Sequence, residues 1–301
     1  MIGLFFAELR RYRSRRAVRA TGLLVVLGIA LAGFLVFINS HNDEASLAVV
    51  LERERAFVDE CVAREDMFGP TPPMYESREE FCTDIARDSA GDPSYHYRSL
   101  TDTFTGMSPL LIIFAMGLGA TFIGAEWSAG TVTTLLTWEP RRVRVMVAKI
   151  LAAAAFVFVA ALATQVVLGL SLLPAALVRG TTAGVDAAWL WDTVGIALRS
   201  STIAAIAAVI GFTIASVARN TGAAIIIGFV YFAVLEGLIR GFRPNWIRWL
   251  FGDNAALFLV GHEGGTGLPP HSQTRAIVTL VGYVAILTVV ATTFFRRRDV
   301  T

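Results

Sequence analysis

The chain alternates long apolar runs with short charged segments. Six runs, near 20–39, 106–125, 147–174, 193–218, 222–240 and 274–295, reach the length of about 20 apolar residues that a helix needs to cross a bilayer core. The third has an ambiguous exit, because Pro174 and Arg179 interrupt its far end. Ahead of the first run, Ile2, Phe5, Phe6, Leu9 and Tyr12 recur at helical spacing. Arg10, Arg11, Arg13, Arg15 and Arg16 fall between them, which predicts a helix along the membrane surface with its arginines toward headgroups. A plain basic flank of the first span is the competing reading.

Between the first two runs lies the one sizeable extramembrane segment, 40–105. Leu47, Val50, Leu51, Phe57, Val58 and Cys61 follow helical spacing, with Asn42 or Asp43 as a candidate cap. A breaker (Gly69 to Pro73) follows, and then a capping box from Ser77 to Glu80 opens a second short helix that carries Cys82. The prediction is a helical hairpin. Near the other end, 245–260 is apolar and aromatic but too short to span, with Gly252, Asp253 and Asn254 in its middle. It predicts a re-entrant or interfacial pair of helices, with Trp246 and Trp249 at headgroup level. No internal repeat of the kind found in secondary transporters is visible.

Composition agrees with a membrane protein: 55% of residues are hydrophobic and the mean hydropathy is +0.60. Net charge is only +2, but its distribution is informative. With the N-terminus inside, the short inner segments hold fourteen of the 26 basic residues, including six arginines before residue 20 and Arg296 to Arg298. The 40–105 loop, by contrast, holds fifteen acidic residues against six basic ones. The predicted fold is an all-α polytopic membrane protein with six transmembrane helices and both termini cytoplasmic. Its parts are a cytoplasmic amphipathic helix (1–19) and a six-span domain (20–301). The latter contains an external helical loop (40–105), a cytoplasmic loop (126–146) and an external re-entrant loop (241–273). The basic start followed by an apolar run also describes a signal peptide. The run is too long and lacks an A-x-A site, so an uncleaved first span is expected.

Lys149 is the single lysine and sits in VAKIL, so no Gly-x-x-x-x-Gly-Lys-Ser/Thr phosphate loop exists. No HExxH, GxSxG or paired intramembrane carboxylates occur, and the four histidines fall in external loops. No catalytic residue and no metal or cofactor ligand set is predicted. The only two cysteines, Cys61 and Cys82, lie one on each external helix. A disulfide there would contribute roughly 3 kcal/mol in the chain-entropy model, and two free buried thiols are the alternative.

Polar groups inside spans are costly, so each is a candidate. Gln165 either lines a path or hydrogen-bonds a neighbouring helix. Glu236 and Arg240 are spaced to pair as an interfacial ion pair. Arg199 is close enough to the outer surface to snorkel. Small residues (Gly117, Gly119, Ala120 and Gly124 in the second span, Ala204, Ala205, Ala207 and Ala208 in the fourth) favour a tight bundle or a dimer seam.

The loop between spans two and three is the most specific feature. It opens with Glu126, passes Ser128 (a candidate helix cap), Gly130 and Thr131, then Leu135, Leu136, Trp138 and Pro140, and closes on Arg141, Arg142, Arg144 and Lys149. Positive-inside charge explains its arginines but not the order E-x3-G-T-x3-L-L-x3-P. That order, with six spans and a basic N-terminal helix, resembles the permease subunits of type-2 ABC transporters, the ABC-2 exporter class. Their loop reads E…GT…LL…P…SR…K. Here Glu126, Gly130, Thr131, Leu135, Leu136, Pro140, Arg142 and Lys149 match, with one residue fewer before Arg142. The large cysteine-bearing loop departs from the shortest family members.

The resemblance implies a coupling helix: Glu126, Gly130, Thr131, Leu135, Leu136, Pro140, Arg141, Arg142 and Arg144 would contact a separate ABC ATPase subunit. ATP and Mg would bind in that partner. A second permease, identical or homologous, would complete the path in a bacterial cytoplasmic membrane, with the lipid bilayer and no nucleic acid as further surroundings. Two other classes remain at this point. One is a non-transporting scaffold or anchor subunit, and the other an ion-coupled secondary carrier, which the absence of central ionisable residues disfavours.

Overall fold

The computed structural model describes residues 2–42, 44–64, 67, 69–71, 75, 77–89, 94–131, 134, 137, 141–261 and 272–297. Its helices are α1 (Ile2–Ser14), α2 (Arg16–Asn39), α3 (Glu44–Ala63), α4 (Arg78–Ser89), α5 (Leu100–Ser128) and α6 (Arg142–Arg179). They continue with α7 (Ala187–Ala218), α8 (Thr221–Phe229), α9 (Glu236–Phe242), α10 (Phe251–Val260) and α11 (Gln273–Arg297). A π turn, Val230–Leu235, joins α8 to α9, and a 3-10 turn, Pro244–Trp249, leads into α10.

Among the described residues six helical segments are long and apolar enough to cross a membrane: Val18–Asn39, Tyr97–Ser128, Arg142–Arg179, Ala187–Ala218, Thr221–Phe242 and Gln273–Arg296. The second begins well before residue 106 and the third runs past Pro174. Both helices carry an internal proline, Pro109 and Pro174. A proline removes one backbone bond without stopping a helix whose neighbours and apolar surroundings favour continued bonding.

The described chain divides into two compact units. One comprises 1–26, 101–166 and 190–301, and the other 27–100 and 167–189. The larger has its core where α5, α6 and α7 meet, around Phe122, Met146, Val157, Ala204, Ala208 and Phe212. Here α5 and α7 touch backbone to backbone. A Cβ on Gly119 would run into the Ala208 carbonyl, and one on Gly211 into the Met116 carbonyl. The small-residue stripe thus packs helices within one chain, although a Cβ on Gly117 meets nothing within 4 Å.

The smaller unit holds the helical hairpin. Cys61, Phe81 and Cys82 are buried between α3 and α4, packed by Phe57, Val58, Tyr75 and Ile85. The two sulfurs are bonded, with Cα atoms 5.7 Å apart. Arg78 lies across the hairpin and donates to the carbonyls of Cys61 and Gly69 at 2.9 Å each. The Ser77 hydroxyl accepts the Glu80 N–H at 3.1 Å, the first half of the capping box. Asn42 reaches another helix. Its amide donates to the Val178 carbonyl at 3.3 Å, and Asp43 lies outside the described residues. A two-residue parallel pairing, Tyr95 with Gly180 and His96 with Thr181, adds a trace of sheet to a fold expected to be all helical. Arg179, at the end of α6, donates to the Phe37 carbonyl at 3.1 Å and covers the Phe37 ring.

Candidate functional site

The chain's single lysine lies at the centre of the strongest polar site. Lys149, in the second turn of α6, is only 2% exposed. Its Nζ donates to Glu8 Oε1 at 2.8 Å and to Glu126 Oε2 at 2.6 Å. Glu8 and Glu126 are each 3% exposed. Three distant segments therefore meet on one ammonium: α1, the end of α5 and the start of α6. Lysine is seldom buried unless paired, because its desolvation costs several kcal/mol. Two carboxylates at short distance supply the compensation here.

Two arginines close the cluster from the α1 side. Arg15 sits in the break between α1 and α2 and donates to Glu126 Oε1 at 3.0 Å. It also donates to the Thr121 and Phe122 carbonyls at 2.9 and 3.0 Å. Arg11 reaches Glu8 and Glu126 at 3.4 Å. Beneath them the Tyr12 ring stacks on Phe122 with centroids 4.0 Å apart, and its hydroxyl donates to the Lys149 carbonyl at 3.4 Å. Burial, reinforced by Glu8 and Glu126, pushes the Tyr12 phenol well above its ordinary value of 10.0. Glu8 Oε2 is buried and has no partner among the described residues.

This geometry changes the expected role of the N-terminal helix. Arg11 and Arg15 were placed toward headgroups, but they turn inward onto Glu126. Arg10, Arg13 and Arg16 are exposed. The reason is helical phase: Glu8, Arg11, Tyr12 and Arg15 fall on one face of α1, and that face docks.

The Glu126–Lys149 ion pair also closes the neck of the loop between α5 and α6, joining residues 23 apart in sequence. Glu126 itself does not reach the surface. The α5 helix ends where Gly130 takes φ +65°, a left-handed conformation suited to glycine. The Ser128 hydroxyl donates back to the Ala125 carbonyl at 3.0 Å, so Ser128 closes α5 and does not open the next helix. Beyond the bend Thr131, Thr134 and Thr137 are helical and exposed, three residues apart. Leu135, Leu136, Trp138 and Pro140 lie outside the described residues. Arg141 is exposed, while Arg142 and Arg144 are half-buried. Arg142 donates to the Arg296 carbonyl at 3.4 Å.

A clamped, six-span helical chain with a loop of this order matches one family model, the ABC-2 family transporter protein, over residues 3–300. The chain belongs to the ABC-2 transporter family. No individually curated protein matches it. The match covers nearly the whole chain and makes this protein a multi-pass membrane permease.

The other candidate polar groups of this ABC-2 permease bond to neighbouring helices. Gln165 is fully buried and joins α6 to α7. Its amide donates to the Ala197 carbonyl at 3.2 Å and to Ser201 Oγ at 3.0 Å, and it accepts from Ser200 at 2.9 Å. Arg199 is half-buried. It donates to the Leu259 carbonyl at 3.1 Å and caps α10 beside Gly261. Glu236 and Arg240 do pair, at 3.2 Å, but Glu236 is 2% exposed and the pair continues to Asp253 at 3.0 Å. The Gly252 N–H donates to Glu236 at 3.0 Å. The expected pair therefore forms and, through Asp253, braces α9 against the start of α10.

Sequence reading missed Glu8 and gave Lys149 a minor role. Two signals were present: Glu8 is the only acidic residue before residue 20, and Lys149 is the only lysine. It also missed Arg219, whose guanidinium lies 4.6 Å from the centre of the Trp127 ring at the end of α5.

Proposed function

We propose that this chain is the membrane subunit of an ATP-driven exporter in a bacterial cytoplasmic membrane, coupled to a separate ATPase that binds ATP and Mg. The N- and C-termini and the 126–146 loop face the cytoplasm in this reading, as the basic residues require. The element contacting the ATPase is Gly130, Thr131, Leu135, Leu136 and Pro140, followed by Arg141, Arg142 and Arg144. Glu126 supports this element from below through Lys149. Two permease copies, identical or homologous, complete the path.

One observation carries the reading. The loop's neck is closed by a buried ion pair that also holds α1, while Thr131 beyond the bend is exposed. A projecting helix on such a base transmits a push to α5 and α6 together, which is what a coupling element must do. Tagged permease purified from its native membrane should carry ATP hydrolysis activity with it. Gly130→Trp, which strains a left-handed position, and the double reversal Arg141→Glu/Arg142→Glu should each strip that activity from the purified permease. Wild-type levels of bound ATPase and of transport in both variants would sink the assignment.

A further inference from the structure

The larger unit contains a cavity of about 400 Å³ that the coupling reading does not use. Its walls come from α5, α7, α10 and the π turn, and they are almost entirely aliphatic and aromatic. Two helix irregularities border it. Pro109 in α5 leaves the Thr105 carbonyl without its helical donor, and Phe232 belongs to the π turn, a distortion that recurs at functional sites.

The polar groups on the wall define a chemistry. Among the described residues Arg240 is the only charged one in the lining. Its Nε and Nη2 are held by Asp253 and Glu236, while Nη1 has no partner among the described residues. At the cavity wall the nearer guanidinium and the two carboxylates behind it roughly cancel, so neither an anion nor a cation gains enough attraction to offset its desolvation. The guanidinium can still donate one hydrogen bond. Thr105 and Ser108 spend their hydroxyl hydrogens on the carbonyls of Thr101 and Phe104, so toward the cavity they offer acceptors only. An occupant must be apolar over most of its length and uncharged, and must carry a group that both donates and accepts.

We infer that this cavity binds an uncharged, hydroxyl-bearing aliphatic molecule drawn from the membrane, with its hydroxyl between Arg240 and the Thr105–Ser108 turn. The volume lies in the range of small-ligand sites. The inference stands whether or not an ATPase drives the permease.

The test uses permease in lipid nanodiscs and a long-chain primary alcohol carrying a mid-chain diazirine. Carboxylate and trimethylammonium analogues of equal chain length serve as controls. Irradiation should label peptides covering 105–113 and 251–260 saturably, with about tenfold preference for the alcohol over either charged analogue. Ala256→Phe places a ring in the cavity and should cut labelling about tenfold, with elution profile and thermal midpoint unchanged. Ser108→Ala should narrow the preference for the alcohol while leaving the chain in place. Competition by unlabelled alcohol on the unaltered protein gives a readout that needs no variant. Labelling that does not saturate, that survives Ala256→Phe, or that the charged analogues match would overturn the inference.

Discussion

Two ion clusters in the larger unit each set a cation between two carboxylates, yet they differ in construction, and only the first adds two further arginines, Arg11 and Arg15. Around Lys149 the partners are 141 and 23 residues away in sequence, and the cation's side chain is 2% exposed. Around Arg240 they are 4 and 13 residues away, and the guanidinium is 45% exposed. The first cluster ties together three helices with no chain neighbours in common. The second braces a single turn between α9 and α10. Burial sets the stakes. A dry ammonium depends on both of its carboxylates, whereas a half-wet guanidinium can fall back on water.

The largest effect should come from Lys149→Met, which leaves Glu8 and Glu126 buried with only the outer arginines, Arg11 and Arg15, to pair them. A loss of about 3–5 kcal/mol is expected, seen as a lower thermal midpoint and a poor yield of monodisperse protein. The triple change Glu8→Gln/Glu126→Gln/Lys149→Met removes all three charges and should recover most of that loss. If it proves no better than Lys149→Met alone, pairing of charge is not what holds the clamp.

At the second cluster Arg240→Gln should cost less, about 1–2 kcal/mol, because the Gly252 N–H still serves Glu236 and the new amide can donate to one of the carboxylates. A cost equal to that of Lys149→Met would erase the distinction between the clusters. Arg199→Gln, which removes only the donor at the end of α10, should cost about 1 kcal/mol and leave the clamp intact. Hydrogen exchange should then quicken in 251–260 but not in α1.

Tyr12 yields the smallest effect at neutral pH and a clear one in alkali. Its folded pKa lies above the ordinary 10.0, so the stability its neutral form contributes is whole below that value and is lost as pH rises through the folded pKa. Phenolate absorbance should show one fewer late-titrating tyrosine above pH 10 in Tyr12→Phe than in the unaltered protein. Tyr12 titrating with the exposed phenols would mean that α1 is not docked.

The coupling loop illustrates what was readable and what was not. The order from Glu126 to Pro140 and the bend at Gly130 are local, and they could be taken from neighbouring letters. Ser128 was placed on the wrong side of that bend. A serine three residues after a carbonyl can close one helix as readily as open another, and only the backbone path decides which. The capping serine Ser77 was legible because its partner is three residues away. The bond made by Arg199 was not legible because its acceptor, the Leu259 carbonyl, is 60 residues distant.

The sequence by itself determined the number of spans, the position of the charged loops and the family motif. Each depends on transfer of apolar residues from water, a sum over neighbours that the linear order already contains. Only the tertiary structure decided which charges are structural. An ion pair forms when two groups come within about 4 Å, and that distance is set by which helix faces pack together. Glu8, Glu126 and Lys149 look like ordinary surface charges along the chain and become a buried clamp when α1 lies across α5 and α6.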